Sequence, residues 1–133
     1  MDEEWKDIEG YEGIYAVSSW GRVRDLRNGH FYLNDIYTRR DYVKIQLFNN
    51  GSSKAFYAHR LVANAFLKDR LSNQKIVNHK NGIRSDNHIE NLEWCDYAHN
   101  TIHTFAKKKL LKHGIKSFSA YEAYLLLGFA TQG

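Results

Sequence analysis

The chain has 133 residues, 43% hydrophobic and 26% charged, with a formal charge of +4 and a pI near 9.1, a balance that excludes a disordered polyelectrolyte and allows one thin core or two very small modules sharing theirs. No apolar run approaches a bilayer span, and the acidic opening (Asp2, Glu3, Glu4) lacks the basic and apolar regions of a secretion signal, so a cytoplasmic protein with no membrane partner is expected. One cysteine, Cys95, excludes an internal disulfide and a cysteine-built cage, so no structural zinc is expected.

Charge is segregated along the chain. Residues 22–60 carry Arg22, Arg24, Arg27, Arg39, Arg40, Lys44, Lys54 and Arg60 against Asp25, Asp35 and Asp41, and the tail after residue 96 carries Lys107, Lys108, Lys109, Lys112 and Lys116 against Glu122 alone. Two basic zones flanking a neutral centre are modest evidence for a polyanionic partner.

Short strands are predicted at residues 14–18, 22–26, 42–48 and 55–58. In the third, Val43, Ile45 and Leu47 alternate with Tyr42, Lys44 and Gln46, the period of a strand with one wet face, and Asn49-Asn50-Gly51-Ser52 supplies the positive-φ residues of a hairpin turn. The period then changes: Leu61, Val62, Ala65 and Phe66 fall on one stripe of a helix over residues 59–67. Residues 76–79 read as a strand entering a polar loop too long for a tight turn, and residues 92–95 as the returning strand. Asp96 is placed to cap a helix from Tyr97, on which Ala98, Ile102, Phe105 and Ala106 are expected to face the core while Asn100, His103 and Lys107 project from the other side. Ser119-Ala120-Tyr121-Glu122 has the form of a capping box before a last helix through Leu127, stopped by Gly128.

Asn78-His79 after a strand, Asn91-Leu92-Glu93-Trp94 opening the next, and His99-Asn100 on the following helix resemble the HNH family of ββα-metal nucleases, and closely the phage and intron-encoded HNH homing endonucleases. The opening Glu4-Trp5-Lys6-Asp7-Ile8-Glu9-Gly10-Tyr11-Glu12-Gly13, with Tyr15-Ala16-Val17-Ser18 and Gly21-Arg22-Val23, resembles the modular N-terminal motif of many members. The resemblance implies an α+β fold: a β-rich DNA-binding motif over residues 1–54, a nuclease core over 55–108, and a basic tail over 109–133. Residues 115–129 resemble the start of a helix-turn-helix motif, read as a remnant that packs on the body or mediates self-association.

Phosphodiester hydrolysis needs a base for the attacking water and positive charge near the phosphate, which a neutral imidazole and a divalent cation supply. By resemblance His79 is the base, Asn78 and Asn100 hold Mg²⁺ or Mn²⁺ through side-chain carbonyls, and Asn91 is no ligand but pins the loop that orients His79. Some relatives have Asp where this chain has Asn78, which implies weak metal affinity. His103, one turn from Asn100, is an alternative ligand or phosphate contact. Double-stranded DNA is the expected partner, met by Arg22, Arg24, Arg39, Arg40, Lys44 and Lys54 on strands or turns, by Lys80 and Arg84 in the polar loop, and by Lys107 and Lys108 at the far side. His59 and His88 are read as structural, His99 and His113 as solvated or near phosphate, and Trp94 as core. Monomer and homodimer both stay open. So do two other functions: a DNA-binding module whose nuclease site has decayed, and an RNA-binding or intron-folding protein.

Overall fold

In a computed structural model, which describes residues 2–31, 41–110, 117–120 and 122, the chain opens as an antiparallel sheet of three strands, β1 (Trp5–Asp7), β2 (Tyr15–Ser18) and β3 (Val23–Asp25), in that order. β2 and β3 lie within the predicted strands. β1 goes beyond the prediction, since three residues show no readable period; its pairing with β2, Trp5 opposite Ser18 and Asp7 opposite Ala16, makes it a strand. β2 passes to β3 through Ser19, Trp20 and Gly21, with Gly21 N donating to Ser18 O and Gly21 at φ +88°. A type I turn closed by a left-handed residue is a favoured three-residue hairpin loop, and glycine takes that conformation without a Cβ clash.

β4 (Lys44–Asn49) and β5 (Ser52–Tyr57) form the expected hairpin, with Asn49 paired to Ser52 and Asn50 and Gly51 at φ +51° and +78°, the two positive values of a type I′ turn. Val43, Ile45 and Leu47 are all buried, as their alternation predicts. α1 (Ala58–Phe66) follows at once and lays Leu61, Val62 and Ala63 on that face. β6 (Ile76–His79) and β7 (Leu92–Cys95) form the third sheet, with His79 opposite Leu92 and Ile76 opposite Cys95, matching the predicted bounds. α2 (Tyr97–Leu110) starts where Asp96 Oδ1 accepts the His99 N–H at 2.7 Å, the expected N-cap.

One hydrophobic cluster joins the three sheets and α1: Val17 and Val23 from the first sheet, Ile45 and Leu47 from the hairpin, Leu61 and Val62 from α1, and Val77, Leu92 and Trp94 from the last sheet. The Tyr15 hydroxyl spans two of the layers, accepting from Phe48 N at 3.1 Å and from Arg27 at 2.7 Å. The fold is therefore α+β, antiparallel strands followed by a ββα unit, and its parts share a core.

The face assigned to α2 needs correction. Ala98 and Phe105 are exposed, whereas His103 is fully buried beside Ala106. The physical reason is hydrogen bonding: His103 Nε2 lies 2.8 Å from Phe118 O and 3.2 Å from Lys80 O, and donating to these carbonyls fixes the helix rotation that apolar periodicity alone misjudges. The capping box is present, with Glu122 N donating to Ser119 Oγ at 2.9 Å and Ser119 N to Glu122 Oε1 at 3.2 Å. The helix predicted beyond it, through Leu127, lies outside the described residues. Among the described residues no helix is long and apolar enough to cross a membrane.

Candidate active site

The polar loop between β6 and β7 is held by its own asparagines. Asn91 Oδ1 accepts from Asn81 N at 3.0 Å, its Nδ2 donates to Asp86 O at 2.8 Å, and its carbonyl accepts from Lys80 N at 2.8 Å. Asn81 closes the inner turn by donating to Asp86 Oδ2 and accepting from Ile83 N. A loop whose backbone groups are satisfied this densely is a rigid platform. Asn91, assigned by resemblance to loop orientation, sits at its base.

His79 ends β6 beneath this loop and is 5% exposed. Its Nε2 lies 2.8 Å from Asn87 Oδ1, and because a carbonyl oxygen only accepts, Nε2 is the donor of this bond. One side of the ring meets an aromatic stack: His59 at 5.1 Å between centroids, Tyr42 at 6.0 Å, and Tyr42 on His59 at 5.0 Å. Burial first, then electrostatic interaction with the neighbouring His79 ring and with Arg60, lower the His59 pKa to about 3, so this ring is neutral near pH 7. Its Nδ1 is buried with no hydrogen-bond partner among the described residues. His59 was expected to be structural; it also forms part of the wall around His79.

Asn78, His79, Arg84 and Asn100 line one polar cleft of about 160 Å³, together with Tyr42 and Thr104. The Asn78 amide is oriented by donating Nδ2 to Glu93 Oε2 at 2.8 Å, which leaves Oδ1 as its acceptor, and Glu93 is itself held by Ala120 N at 2.9 Å. Asn100 reaches the cleft from the second turn of α2. Arg84 lies over the Tyr42 ring at 4.6 Å. Among the described residues no three His, Cys, Asp or Glu side chains converge as a metal cage. What the cleft offers is neutral amide oxygen, a donor type that suits a hard cation retaining most of its water. Asn78 and Asn100 thus fit such an ion, and His103, turned onto backbone carbonyls, does not stand with them. A larger hollow of about 580 Å³ between β1 and α1 is lined by Lys6, Glu9, Glu12 and Arg70 among others, and none of its lining residues is a histidine. The Cys95 thiol is pushed up to about 12, by burial first and then by Glu93 and Asp96, so it is no nucleophile.

The basic residues are more dispersed than the sequence suggests. Arg22 and Arg24 share the outer face of β3 with Phe31, but Arg22 is already paired with Glu3, donating from Nε at 2.7 Å, and lies over Trp5 and Phe31. Lys44 is opposite Tyr57 and Lys54 opposite Leu47, so the pleat sends the two lysines to opposite faces of the hairpin. They cannot form one strip along a groove. Lys80 is half-buried at the start of the loop. Arg39 and Arg40, the side chains of Lys107 and Lys108, and His113 lie outside what is described. His99 caps α2 with Asp96, its Nδ1 2.8 Å from Oδ1, and His88 accepts from Glu90 N. Sequence reasoning missed Asn87, Glu93 and Tyr42. Only the position of Asn87 in a polar loop hinted at a role, and Asn81 and Asn91 carry the same hint.

Known proteins match two stretches of this chain. The NUMOD4 motif matches residues 3–48 and the HNH endonuclease family matches residues 56–102. DNA endonuclease I-HmuI of Bacillus phage SP01 is 41% identical over 91 residues, covering 68% of this chain and 51% of that protein. The uncharacterized HNH endonuclease L245 of Acanthamoeba polyphaga mimivirus is 32% identical over 127 residues, covering 94% of this chain and 37% of its own length. This chain thus spans about half or less of the curated relatives it matches. A solved structure of DNA binding and cleavage by the HNH homing endonuclease I-HmuI matches with a TM-score of 0.70 at 36% identity, covering 80% of this chain and 60% of that one.

Proposed function

Because this chain is a homologue of the HNH homing endonucleases, a NUMOD4 motif leading into an HNH module, we propose that it hydrolyses phosphodiester bonds of double-stranded DNA with a divalent cation, Mg²⁺ or Mn²⁺, and His79 as general base. The observation that carries this reading is the His79 ring, fixed as the Nε2–H tautomer by Asn87 in a cleft it shares with Asn78, Asn100 and Arg84. With Nε2 committed as a donor, Nδ1 takes the proton of the attacking water. The P–O3′ bond breaks, leaving 5′-phosphate and 3′-hydroxyl ends. Arg84 brings fixed positive charge to the phosphate, and the Tyr42 ring beneath its guanidinium limits its rotamers. Asn78 and Asn100 would hold the cation through Oδ1; when bound, it stabilises charge developing on the phosphate and leaving oxygens. Arg24, Lys44, Lys54, Lys80, Arg39, Arg40, Lys107 and Lys108 are proposed to hold the duplex backbone, with Arg22 joining if DNA displaces Glu3.

The test is cleavage of supercoiled plasmid with Mg²⁺, Mn²⁺ or EDTA by the native protein and His79→Ala. Nicked product that requires metal, and that falls about 10²- to 10⁴-fold in the variant while DNA binding persists, is the expected result. One cleft per chain predicts that nicked circles precede linear DNA. Tight binding without cleavage in any metal would sink the nuclease reading in favour of a decayed DNA-binding module, which the neutral Asn78 makes the next best.

A further inference from the structure

The hairpin loop joining β2 to β3 does not face solvent alone; it rests on the loop that holds His79. Gly21 is buried, and a Cβ built on it would lie 2.7 Å from Asn87 Cβ and 2.9 Å from Asn87 O. On either side the contact is reinforced. Ile89 N donates to Ser19 O at 2.8 Å, and the Trp20 indole lies over the His88 ring at 6.3 Å and 23°. The hairpin loop is itself stiff, with Ser18 Oγ accepting from Trp20 N and Arg22 N, and Ser19 Oγ from Glu4 N. Residues 87–89 of the nuclease loop are therefore backed, one after another, by residues 19–21 of the N-terminal motif.

We propose that the loop at residues 19–21 is a positioning element of the nuclease site: its backbone presses on Asn87 and so sets the hydrogen bond that orients the His79 imidazole. The inference rests on His79 being the general base. Asn87 is buried and bonded to His79 Nε2 at 2.8 Å, so a side chain at position 21 has no room unless the backbone at Asn87 moves. Close packing transmits that shift, because a neighbouring backbone cannot yield as the end of a flexible side chain can. Residues 19–21 then position the nuclease site through Asn87, without touching the substrate themselves. Gly21 is needed for two separable reasons, the left-handed φ and the missing Cβ.

Gly10 separates them. It sits at φ +87° with nothing within 4 Å of a built Cβ, so Gly10→Ala carries the same backbone strain as Gly21→Ala without the collision. Both variants should lose stability. Only Gly21→Ala should lower the plasmid-nicking kcat, by about tenfold to a hundredfold, the rate cost of one buried hydrogen bond, with KM for DNA unchanged. Adding Gly21→Ala to Asn87→Ala should lower kcat little further, because the bond is already gone. A second readout is independent of turnover: the ¹H–¹⁵N spectrum of the His79 ring, where the slowly exchanging Nε2 proton should persist in Gly10→Ala and be lost in Gly21→Ala. If Gly21→Ala does not fold, the exposed Trp20→Ala carries the test and should show the same two signatures, weaker. A Gly21→Ala protein, or in its place a Trp20→Ala protein, with wild-type kcat and an unchanged ring spectrum overturns the proposal. If the native protein fails to cut DNA whatever metal is supplied, the spectra still decide the coupling, and only the nuclease reading has failed.

Discussion

Asn78 is a neutral amide where a carboxylate would hold a cation more tightly, and its surroundings give that choice a physical cost and a benefit. Its Nδ2 donates to Glu93 Oε2 at 2.8 Å, an arrangement that only an amide, or a protonated acid, sustains. Asn78→Asp therefore puts two carboxylates in contact where a donor and acceptor now meet. The expected result in EDTA near pH 7 is a loss of stability on the order of 1–3 kcal/mol, seen as a lower Tm. Added Mn²⁺ should restore more Tm in this variant than in the native protein, because a carboxylate binds a cation more tightly than an amide and binding stabilises the folded state. An unchanged Tm in EDTA would show that Glu93 swings clear. The amide thus keeps the cleft from repelling itself when no cation is bound.

At the scale of the element, α2 carries Asn100 into the cleft, and what orients it is His103. The imidazole donates to Lys80 O and Phe118 O, tying the helix both to the start of the polar loop and to the segment before Ser119. Phe118 N in turn donates to Lys80 O at 3.2 Å, and the two rings lie 4.5 Å apart. His103→Leu fills most of the volume but leaves the buried Phe118 carbonyl without this donor, so destabilisation of about 1–3 kcal/mol is expected in a denaturant titration. The Mn²⁺ concentration that half-saturates cleavage should stay near the native value, since a residue on backbone carbonyls is no ligand. A large rise in that concentration, with stability unchanged, would instead make His103 part of the metal shell. The element shows where sequence reading stopped: His79, Asn78 and Asn100 were legible through their resemblance to the HNH pattern, whereas helix rotation was misjudged because a buried histidine counted as a polar-face residue.

Across the whole molecule, the shared core ties the aromatic wall around His79 to stability. The His59 pKa is lowered from 6.5 to about 3, chiefly by burial, so the unfolded chain binds this proton more readily than the folded one. Stability from this group is complete above pH 6.5 and is lost as pH falls from there toward 3. His59→Phe keeps a ring against Tyr42 and His79 but removes the proton, so its Tm should fall less than that of the native protein between pH 7.5 and 5. Carboxylates such as Glu3, Asp25 and Asp96, whose pKa values are lowered by Arg22, Arg27 and the His99 N–H respectively, contribute at the acid end of the scan in both proteins and cancel in the comparison. Parallel Tm profiles for the two proteins would remove His59 from the account.

From sequence alone follow the features that local physics controls. Val43, Ile45 and Leu47 had to share a face once they alternated; Asn50-Gly51 had to turn, having the two residues that tolerate positive φ; Asp96 had to cap α2. The resemblance of Asn78-His79 and Asn100 to the HNH pattern singled out three residues that line one cleft. Tertiary structure decided what no spacing encodes: that Asn87, among several loop asparagines, meets His79; that Glu93 turns the Asn78 amide; that His59 walls the base; that Lys44 and Lys54 part company across a pleat; and that Gly21, some sixty-six residues before Asn87, leaves the space it fills. Local elements are set by neighbours within a few residues, so their signals survive in one dimension. Contacts between distant segments depend on how those elements pack, and a glycine or asparagine that serves them is written with the same letter as one that only makes a turn.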